Sequence, residues 1–384
     1  MTCKQAGEGF VLKESKLKVA IISCGMITNA AHIPAYRNLG DRVDLAAVCD
    51  VNPVSAEQTA KRHGIPNWYT DAEEMLQKEK PDLVSVCTPN ALHKKMTMLA
   101  LSYGCHVACE KPIAFTYADA KEMFDYAKEK NRVLFACQVV RYNQEYQFAK
   151  EMMDDGVLGD VYYSEFSLIR RRGVPKWGAF HRKDANGGGV LCDLGVHLID
   201  AALWVMGGPK FVSISGMASA HIARNEKDVV TSLAESGAPA GVFNARPYSP
   251  EEFEVEEFAA GNIRLDNGCC INFKTSWAVN LPSEYSMSFA GSKSGLLLPK
   301  MELLSTMGKY QTNIQPRLFP EERRFANEAF PGHSFLFENA VDHILTGSPL
   351  AVKPEETLNV AAIIDAFYLS AAEKREVRAE EILK

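Results

Sequence analysis

The chain has 384 residues, of which 47% are hydrophobic and 23% are charged, and its net charge at pH 7 is -6. That length is enough for two domains with sizeable cores, and the composition is ordinary for a globular protein. Long blocks of one charge sign are missing from the sequence, which argues against nucleic acid and membrane surfaces as partners. We expect a small-molecule substrate and a homo-oligomer instead.

The cysteines and the N-terminal residues indicate a cytoplasmic protein. Most of the ten cysteines lie inside apolar runs such as AAVCD and VSVCTP, and no pair has CxxC spacing. Buried free thiols in a reducing compartment explain this pattern best. Residues 1–16 contain no apolar core of a signal peptide, and no later run approaches the ~20 apolar residues of a membrane span.

The first part of the chain alternates short apolar runs with helical segments. The runs LKVAIIS, VDLAAVCD, DLVSVCTP, HVACEKP and RVLFACQ are rich in valine, as strands are when helices cover both faces of a sheet. The intervening helices are predicted to end near Leu39 and to span 53–63, 90–103 and 117–130. This alternation predicts an α/β fold that begins with a Rossmann domain, a doubly wound parallel sheet over 17–138.

The pattern changes after residue 138. A helix over 143–155 leads to the strand-like VYYSEFSLIR, and a glycine-led helix is predicted over 187–206. Strand-like runs follow at 211–217, 256–264, 269–278 and 284–290, with turn signals at Asn267-Gly268 and at 291–295. Helices near 334–346 and 355–374 are expected to pack back toward the first domain. Residues 139–384 are therefore predicted to form an α+β domain with a large, mainly antiparallel sheet, for substrate binding and oligomerisation.

The polar stretch 223–254 has no clear periodicity and contains proline and glycine. Long segments of this kind inside a domain often carry function. We expect a long excursion or a lid there, with room for a bulky substrate group.

The stretch VAIISCGMIT places Ser23, Gly25 and Thr28 where a dinucleotide-binding fingerprint has its three glycines. Gly25 keeps the middle position, where a side chain would hold the backbone away from a diphosphate. Serine at the first position fits if its φ stays negative, and a small third residue still lets helix and strand pack together. So degraded a fingerprint is equally consistent with a plain βα turn.

The ends of the predicted strands favour a dinucleotide. Asp50 ends the second strand, where a carboxylate can accept hydrogen bonds from the adenosine ribose and would repel a 2′-phosphate. NAD is therefore favoured over NADP, and the alternative for Asp50 is a solvated turn residue. The next two strands end in the polar residues Thr88, Pro89 and Asn90 and in Glu110 and Lys111. The carboxyl ends of the strands of a parallel sheet meet at one crevice. The alternative for Lys111 is an ordinary surface lysine, as is usual for a lysine before a proline.

The stretch GGGVLCDLGVHLID, residues 187–200, carries Asp193, His197 and Asp200 within about 60° of one another on a helix. The glycines would leave an unobstructed helix start whose N–H groups can face a ligand. A histidine that titrates near neutrality is suited to remove a hydroxyl proton. The alternative is that Asp193 only satisfies a buried histidine, and we expect a structural role for Asp200.

The segments CTPN with His93 behind it, CEKP, VLFACQVVRYN and GGGVLCDLGVHLID, in this order, resemble the glucose-fructose oxidoreductase, inositol dehydrogenase and MocA (Gfo/Idh/MocA) family over residues 17–377. The resemblance implies an NAD-dependent dehydrogenase that oxidises a secondary hydroxyl of a sugar, glycoside or polyol to a ketone. Oxidation at C3 of a glucosyl unit recurs in that family. An NAD-retaining glycosidase that uses transient oxidation and elimination, and a non-catalytic NAD-binding regulatory protein, are the alternatives.

The resemblance also implies roles for individual residues. His197 would be the acid/base, Asp193 would bind the substrate hydroxyl, and Lys111 would bridge the substrate oxygen and the cofactor. The expected cofactor contacts are Ser23, Cys24, Gly25, Met26, Ile27, Asp50, Thr88, Pro89, Asn90, His93, Glu110, Lys111 and Arg141. The expected substrate contacts are Lys111, Arg141, Tyr142, Trp177, His181, Arg182, Asp193 and His197.

Some of these residues have an equally good second interpretation. A salt bridge between the domains would explain Arg141, and a solvated loop would explain Trp177, His181 and Arg182. The nine histidines and ten cysteines show no spacing typical of a metal site, so no metal is predicted.

Overall fold

A computed structural model describes residues 16–225, 248–317 and 328–384. The first domain is a six-stranded, fully parallel sheet in the order β3-β2-β1-β4-β5-β6, the doubly wound arrangement predicted for it. Its strands are β1 Leu17–Ile22, β2 Val43–Cys49, β3 Asn67–Tyr69, β4 Leu83–Val86, β5 His106–Cys109 and β6 Leu134–Ala136. Its helices are α1 Ile33–Arg37, α2 Pro53–His63, α3 Ala72–Glu79, α4 His93–Ser102 and α5 Tyr117–Glu129.

Local sequence explains where these helices begin and end. The Asn52 side chain accepts a hydrogen bond from the Val54 amide at 3.0 Å, Pro53 occupies the first turn of α2, and Gly64 ends it with a left-handed φ of 59°. The helix predicted to end near Leu39 is divided, because a π-helical turn over Thr28–His32 precedes α1. β3 and α3 were not predicted from the sequence, and both are short.

The second domain is built on a nine-stranded sheet in the order β14-β13-β12-β11-β7-β10-β9-β8-β15. Only the β7–β10 pair is parallel among these described strands, which agrees with the predicted, mainly antiparallel sheet. The strands are β7 Val161–Ile169, β8 Phe211–Ser219, β9 Phe258–Leu265, β10 Cys270–Ser276, β11 Glu284–Gly291, β12 Gly295–Leu298, β13 Glu302–Met307, β14 Tyr310–Ile314 and β15 Val377–Arg378. The helices are α6 Gln144–Asp154, α7 Lys183–Asn186, α8 Val196–Val205, α9 Pro331–Thr346, α10 Pro354–Glu373 and α11 Ala379–Ile382.

The predicted turns in this sheet are present. Gly268, with a φ of 83°, lies in the hairpin between β9 and β10, and the Asn267 side chain accepts a hydrogen bond from the Cys269 amide at 3.0 Å. The 291–295 segment joins β11 to β12. The central part of the predicted 223–254 excursion, residues 226–247, lies outside the described residues.

Helices cover one face of the large sheet. Phe367 of α10 packs against Phe273 of β10 with the ring centres 5.9 Å apart. The segment Lys183–Val205, which includes α8, is long and apolar enough to span a membrane, but 83% of it is buried inside the protein. It is a core helix. α9 instead packs against the first domain, where Phe337 stacks on Tyr36 at 4.3 Å.

Candidate active site

A cavity of about 610 Å³ opens where the carboxyl edge of the parallel sheet faces the start of α8. Ligands bind at this edge of doubly wound sheets. The structure brings most of the sequence-predicted residues to its wall: Ser23, Cys24, Gly25, Met26, Ile27, Asp50, Thr88, Pro89, Asn90, His93, Glu110, Lys111, Trp177, Asp193 and His197. Arg141, Tyr142, His181 and Arg182 are not among the lining residues.

The turn after β1 forms one end of the cavity. Among the described residues, a Cβ added to Gly25 would find only the Ser23 Oγ within 4 Å, at 3.9 Å, so the space directly above this glycine is open. The condition under which serine was said to fit, a negative φ, is not met, because the φ of Ser23 is 82°. Hydrogen bonds hold the residue in this conformation: its N–H donates to the Cys49 carbonyl at 2.7 Å, and the Thr28 hydroxyl donates to the Ser23 carbonyl at 2.8 Å.

Asp50 is fixed beside this turn. Its Oδ2 accepts a hydrogen bond from the Cys24 N–H at 2.7 Å, and its Oδ1 accepts one from the Asn52 N–H at 2.9 Å. Each carboxylate oxygen has two lone-pair directions, so each can accept a second hydrogen bond. Asp50 therefore joins the ends of β1 and β2 and can still bind the two hydroxyls of a ribose.

The ends of β4 and β5 are joined by a histidine. His93 is fully buried, with Nδ1 2.7 Å from the Pro112 carbonyl oxygen and Nε2 3.0 Å from the Thr88 carbonyl oxygen. Asn90 reaches the second domain, where its Nδ2 donates to the Asn186 Oδ1 at 2.7 Å. These contacts fix the two loops that carry Thr88 and Lys111.

Lys111 and Asp193 meet across the two domains. The Lys111 Nζ donates to the Asp193 backbone carbonyl at 2.9 Å and to its Oδ1 at 3.2 Å. The other carboxylate oxygen accepts a hydrogen bond from the Trp277 indole N–H at 3.0 Å. Burial alone would raise the pKa of Asp193, but the charges of Lys111 and Arg170 lower it below its usual range. Asp193 is thus an anion whose position depends on both domains.

His197 lies one turn further along, on the same wall of the cavity. Burial, assisted by the positive charge of Lys111, lowers the pKa of His197 to about 3. The imidazole is therefore neutral at pH 7, with one nitrogen free to take a proton. Among the described residues no hydrogen bond joins Asp193 to His197. The Asp193 oxygens contact Lys111 and Trp277 instead, which does not favour the alternative in which Asp193 serves only to satisfy His197.

The glycine run has a different purpose from the one predicted. The N–H groups of Gly189 and Leu191 donate to the Glu256 carboxylate at 2.9 and 3.0 Å, so they do not face a ligand. A Cβ on Gly188 would collide with Tyr368, and one on Gly189 would collide with the Glu256 backbone carbonyl. Glu256 therefore caps this helix start. The regular helix predicted from 187 is also wrong at its beginning, where Leu191–Gly195 is a π-helical turn before α8.

Arg141 lies away from the cavity, which corrects its assignment to the cofactor and the substrate. Its guanidinium is 2% exposed and donates to both oxygens of Asp200, at 2.7 and 2.6 Å. It also pairs with Glu356 of α10. Arg141 therefore forms salt bridges, but within the second domain and not between the domains as the alternative had it, and its pair with Asp200 agrees with the structural role expected of Asp200. Tyr142 is likewise directed elsewhere and stacks on Phe335 with the ring centres 6.1 Å apart.

Two further predicted substrate contacts lie outside the cavity wall. His181 is fully buried, with its ring 4.8 Å from that of Tyr248 and its Nε2 3.7 Å from the Glu252 carboxylate. Arg182 forms an exposed pair with Asp184, its Nε 2.9 Å from Oδ1. Of the three residues predicted in this loop, Trp177 lines the cavity, where it packs edge-on against Phe180, another lining residue, at 4.6 Å.

The cavity also has lining residues that the sequence did not reveal, among them Asn143, Arg170 and the segment 329–333. His333 lies next to Glu110, and its Nε2 is 3.1 Å from the Glu110 Oε1. His32 contacts the same oxygen at 2.9 Å, and the three potential ligand atoms lie within 4.8 Å of one another. Because these three residues are far apart in the chain, no local spacing in the sequence could have predicted that they form a group. The expectation that no metal binds stays a prediction.

Two family models match the chain. The model described as an oxidoreductase family with an NAD-binding Rossmann fold matches residues 17–138, and the model of the corresponding C-terminal alpha/beta domain matches residues 150–379. The chain belongs to the Gfo/Idh/MocA oxidoreductase family. Membership confirms the family resemblance, the two-domain fold class, the NAD cofactor and the oxidoreductase chemistry predicted from the sequence.

Relatives of this Gfo/Idh/MocA protein include a D-glucoside 3-dehydrogenase of Escherichia coli K12, which is 33% identical and aligns over 94% of this chain and 97% of its own. A levoglucosan dehydrogenase of Pseudarthrobacter phenanthrenivorans is 28% identical over 58% of this chain and 56% of its own.

Solved structures share the fold at lower identity. A levoglucosan dehydrogenase in complex with NADH superposes with a TM-score of 0.80 at 21% identity, covering 95% of this chain and 99% of the other. An aldose-aldose oxidoreductase from Caulobacter crescentus reaches a TM-score of 0.74 at 23% identity, covering 95% and 100%.

The cavity fits the cofactor of this family. The open space above Gly25 suits a diphosphate, and the Asp50 carboxylate beside it suits a ribose diol. If the adenosine half lay at that end, Lys111 after β5 and Asp193 and His197 at the start of α8, which line the same cavity, would be the residues available to the nicotinamide half.

Proposed function

We propose that this protein is an NAD-dependent dehydrogenase that oxidises a secondary hydroxyl of a sugar, glycoside or polyol to a ketone. The observation that carries the proposal is that Lys111, Asp193 and His197, from two domains, line the same cavity as Gly25 and Asp50. A proton-accepting imidazole, a cationic donor and a hydride-acceptor site thus share one enclosed volume. When bound, NAD supplies the hydride acceptor.

His197 takes the hydroxyl proton in this proposal. Burial and the charge of Lys111 lower the pKa of this ring, so at pH 7 the imidazole is neutral and one of its nitrogens is unprotonated and can accept the hydroxyl proton. When an alcohol is oxidised, its hydroxyl oxygen loses a proton and its carbon loses a hydride. A positioned base is needed to take the proton. Burial of the ring strengthens its interaction with the reacting hydroxyl, because little water competes for it.

Lys111 polarises the reacting oxygen. An ammonium group has three N–H donors, and the Asp193 carbonyl and carboxylate engage two of them. The third is available to the substrate oxygen, on which negative charge develops as the proton leaves. Asp193 holds Lys111 in place and offers a carboxylate to a neighbouring hydroxyl.

A sugar or glycoside is the substrate class that the relatives and the cavity support. The relative that aligns over nearly the whole chain is named a D-glucoside 3-dehydrogenase. The indole of Trp177 can pack on the apolar face of a pyranose ring, and Arg170 adds a donor group to the same wall. We therefore propose C3 of a glucosyl unit as the position oxidised.

The experiment follows a label from the substrate into the cofactor. Methyl glucosides carrying deuterium at C2, C3 or C4 are incubated with the protein and NAD, and the NADH is analysed by mass spectrometry. We expect the label to appear in NADH with the C3 substrate alone. Transfer from C2 or C4 would contradict the position, and no NADH from any glucoside, free sugar or polyol would contradict the function.

The same incubation separates the two alternatives. Release of a free aglycone without net NADH would indicate a glycosidase that retains its NAD. Binding of NAD with no turnover, unchanged in the Lys111→Met and His197→Asn variants, would indicate a regulatory protein.

We also propose a cytoplasmic location and a homo-oligomer. The nine cysteines in the described part of the chain are free thiols, eight of them buried, which supports a reducing compartment. The large sheet leaves the side opposite α10 to residues such as Glu165 and Asn272, which are exposed on neighbouring strands. A broad sheet face of this kind supports association between copies.

A further inference from the structure

Two histidines and a glutamate form a buried group behind the nicotinamide end of the cavity. Glu110, 7% exposed, precedes Lys111 at the end of β5 and faces His32 at 0% and His333 at 3% exposure. Its Oε1 lies 2.9 Å from the His32 Nε2 and 3.1 Å from the His333 Nε2, while its Oε2 accepts a hydrogen bond from the Lys111 N–H at 3.1 Å. Both rings therefore point one nitrogen at a single carboxylate oxygen.

The direction of these hydrogen bonds follows from the charge of Glu110. Burial alone would raise its pKa, but the hydrogen bonds from His32 and His333 lower it well below the usual range. An ionised carboxylate only accepts hydrogen bonds, so each histidine carries its proton on Nε2. The Nδ1 of His32 lies 3.1 Å from the Ser85 hydroxyl, which can donate to it.

The Nδ1 of His333 differs from that of His32. It is buried and has no hydrogen-bond partner within the described residues 16–225, 248–317 and 328–384. In a neutral ring with its proton on Nε2, this nitrogen only accepts hydrogen bonds, and leaving a buried acceptor unsatisfied is unfavourable. Because His333 also lines the cavity, a bound molecule with an N–H or O–H group can satisfy it.

We propose that His333 is a cofactor-binding residue whose Nδ1 accepts a hydrogen bond from the carboxamide N–H of the nicotinamide. Hydride transfer requires the nicotinamide to lie beside Lys111, and His333 is attached to Glu110, the residue next to it. The carboxamide is the hydrogen-bond donor of that ring. Glu110 fixes the tautomer that makes His333 an acceptor, as a second partner does for metal-bound histidines. This inference rests on NAD dependence and is independent of the proposed sugar.

The test compares NAD with 3-acetylpyridine adenine dinucleotide, in which a methyl ketone replaces the carboxamide and removes the N–H donor. Dissociation constants are measured by calorimetry without sugar, for wild type, His333→Phe and His333→Asn. Phenylalanine keeps a ring among Phe330, Phe337 and His32 but has no acceptor. Asparagine places a carbonyl oxygen near the Nδ1 position. Thermal unfolding shows that each variant is folded.

We expect wild type to bind NAD about tenfold more tightly than the analogue, and His333→Phe to bind the two equally. The variant should lose affinity for NAD and keep its affinity for the analogue, while His333→Asn should recover part of the preference for NAD. The same preference in wild type and His333→Phe would overturn the proposal.

Two further results would overturn the proposed contact between His333 and the carboxamide, and each would identify a different binding partner for His333. If His333→Phe bound NAD as wild type does but had a tenfold higher KM for the sugar, the partner of the His333 Nδ1 would be a substrate hydroxyl and not the carboxamide. Purification with one divalent metal ion per chain, lost together with His32, Glu110 or His333, would mean that Nε2 coordinates a metal and carries no proton. Failure of every sugar to reduce NAD would affect the proposed function alone, because the calorimetry needs no substrate.

Discussion

The chemistry proposed for this Gfo/Idh/MocA protein depends on single side chains whose partners come from distant parts of the chain. Lys111 is held by Asp193, 82 residues away, and Asp193 is held by Trp277, a further 84 residues away. Each partner limits the freedom of the next, so that the ammonium group has a defined position before any substrate arrives. Such preorganisation is the main source of electrostatic catalysis.

Replacing Lys111 by methionine should slow the reaction without preventing cofactor binding. Methionine keeps the apolar stem but cannot stabilise the developing charge on the substrate oxygen, and loss of one such donor costs about 10²–10³ in rate. We expect kcat/KM to fall by that factor while the dissociation constant of NAD changes less than about threefold. Lys94→Met is the matched control, because Lys94 pairs with Asp119 and Glu122 on the surface of the first domain. Equal activity of the two variants would contradict the role of Lys111.

The depressed pKa of His197 should appear in the pH dependence of stability. The folded protein keeps this ring neutral down to about pH 3, whereas the unfolded chain protonates it below its ordinary pKa of 6.5. Because the unfolded state binds the extra proton, the free energy of unfolding decreases as the pH falls through this window, by about 1.4 kcal/mol per pH unit for one group.

The contribution of His197 to the pH dependence of stability is measured by denaturant unfolding of wild type and His197→Gln between pH 7 and pH 5. The variant should lose stability less steeply than wild type as the pH is lowered. Other histidines, such as the half-buried His106 with a pKa lowered to about 4, contribute equally to both curves. Parallel curves would show that His197 is not buried in its neutral form.

Site residues could be predicted from the sequence where the local element, a strand end or a helix start, fixes their position. They could not be predicted where the partner that holds the side chain is distant in the chain. Lys111 and His197 reach the cavity because a strand end and a helix start hold them there. Arg141 looked equally suitable, but Asp200 and Glu356, 59 and 215 residues away, bind its guanidinium. His333 was missed because its partner, Glu110, is 223 residues away.

At the scale of elements, two glycines that look alike in the sequence have opposite functions. Gly25 lies under open space at the end of β1, whereas Gly189 packs directly on the backbone of Glu256 at the start of α8. Neither has a positive φ, so an alanine is compatible with the backbone at both positions. The two positions therefore differ in the surroundings of an added methyl group, which would enter open space at Gly25 and overlap the backbone of Glu256 at Gly189.

Alanine at these two positions should separate binding from stability. Gly25→Ala should weaken NAD binding at least tenfold, because the methyl group occupies the space of the diphosphate, and should leave the free energy of unfolding within about 0.5 kcal/mol. Gly189→Ala should lower the free energy of unfolding by about 1–3 kcal/mol, because the backbone must shift to relieve the overlap. Calorimetry and denaturant unfolding measure the two effects. A destabilised Gly25→Ala that still binds NAD normally would contradict the account.

The glycine-led helix shows why element boundaries were harder to predict than elements. Its apolar periodicity identified α8. The helix start before it is a π-helical turn capped by Glu256, and no residue nearby in the sequence indicates that partner. Similarly, β13 and β14 were missed because their exposed, polar residues give no clear alternation, and they form through pairing with β12 and with each other.

At the scale of the whole molecule, the large sheet has two different faces. Phe166, Phe273 and Phe289 are buried on the side covered by α10, whereas Glu165, Asn272 and Ser288 alternate with them on the other side. Such alternation is typical of a sheet that is covered on one face. The strand order could not be predicted, since β7 pairs in parallel with β10 across more than 100 residues.

The uncovered face should be the surface through which copies associate. Wild type is expected to elute with at least twice the mass of one chain in light scattering coupled to size exclusion. Asn272→Glu with Ser288→Glu adds two charges beside Glu165 on adjacent strands, and repulsion between identical faces should reduce the mass to that of one chain. The pair Glu57→Gln and Lys61→Gln, on the exposed face of α2, is the control. A monomeric wild type, or an unchanged mass in the double variant, would contradict this expectation.

In the proposed reaction, one cavity joins an NAD site to a proton-accepting histidine for the oxidation of a sugar hydroxyl. The reaction is tested most directly by the absorbance of NADH after wild type and His197→Asn are mixed with NAD and a panel of glucosides, free sugars and polyols. We expect NADH from at least one glucoside with wild type and a rate about 10²–10⁴ lower with the variant, with NAD still bound by both. No NADH from any member of the panel, or equal rates for the two proteins, would contradict it.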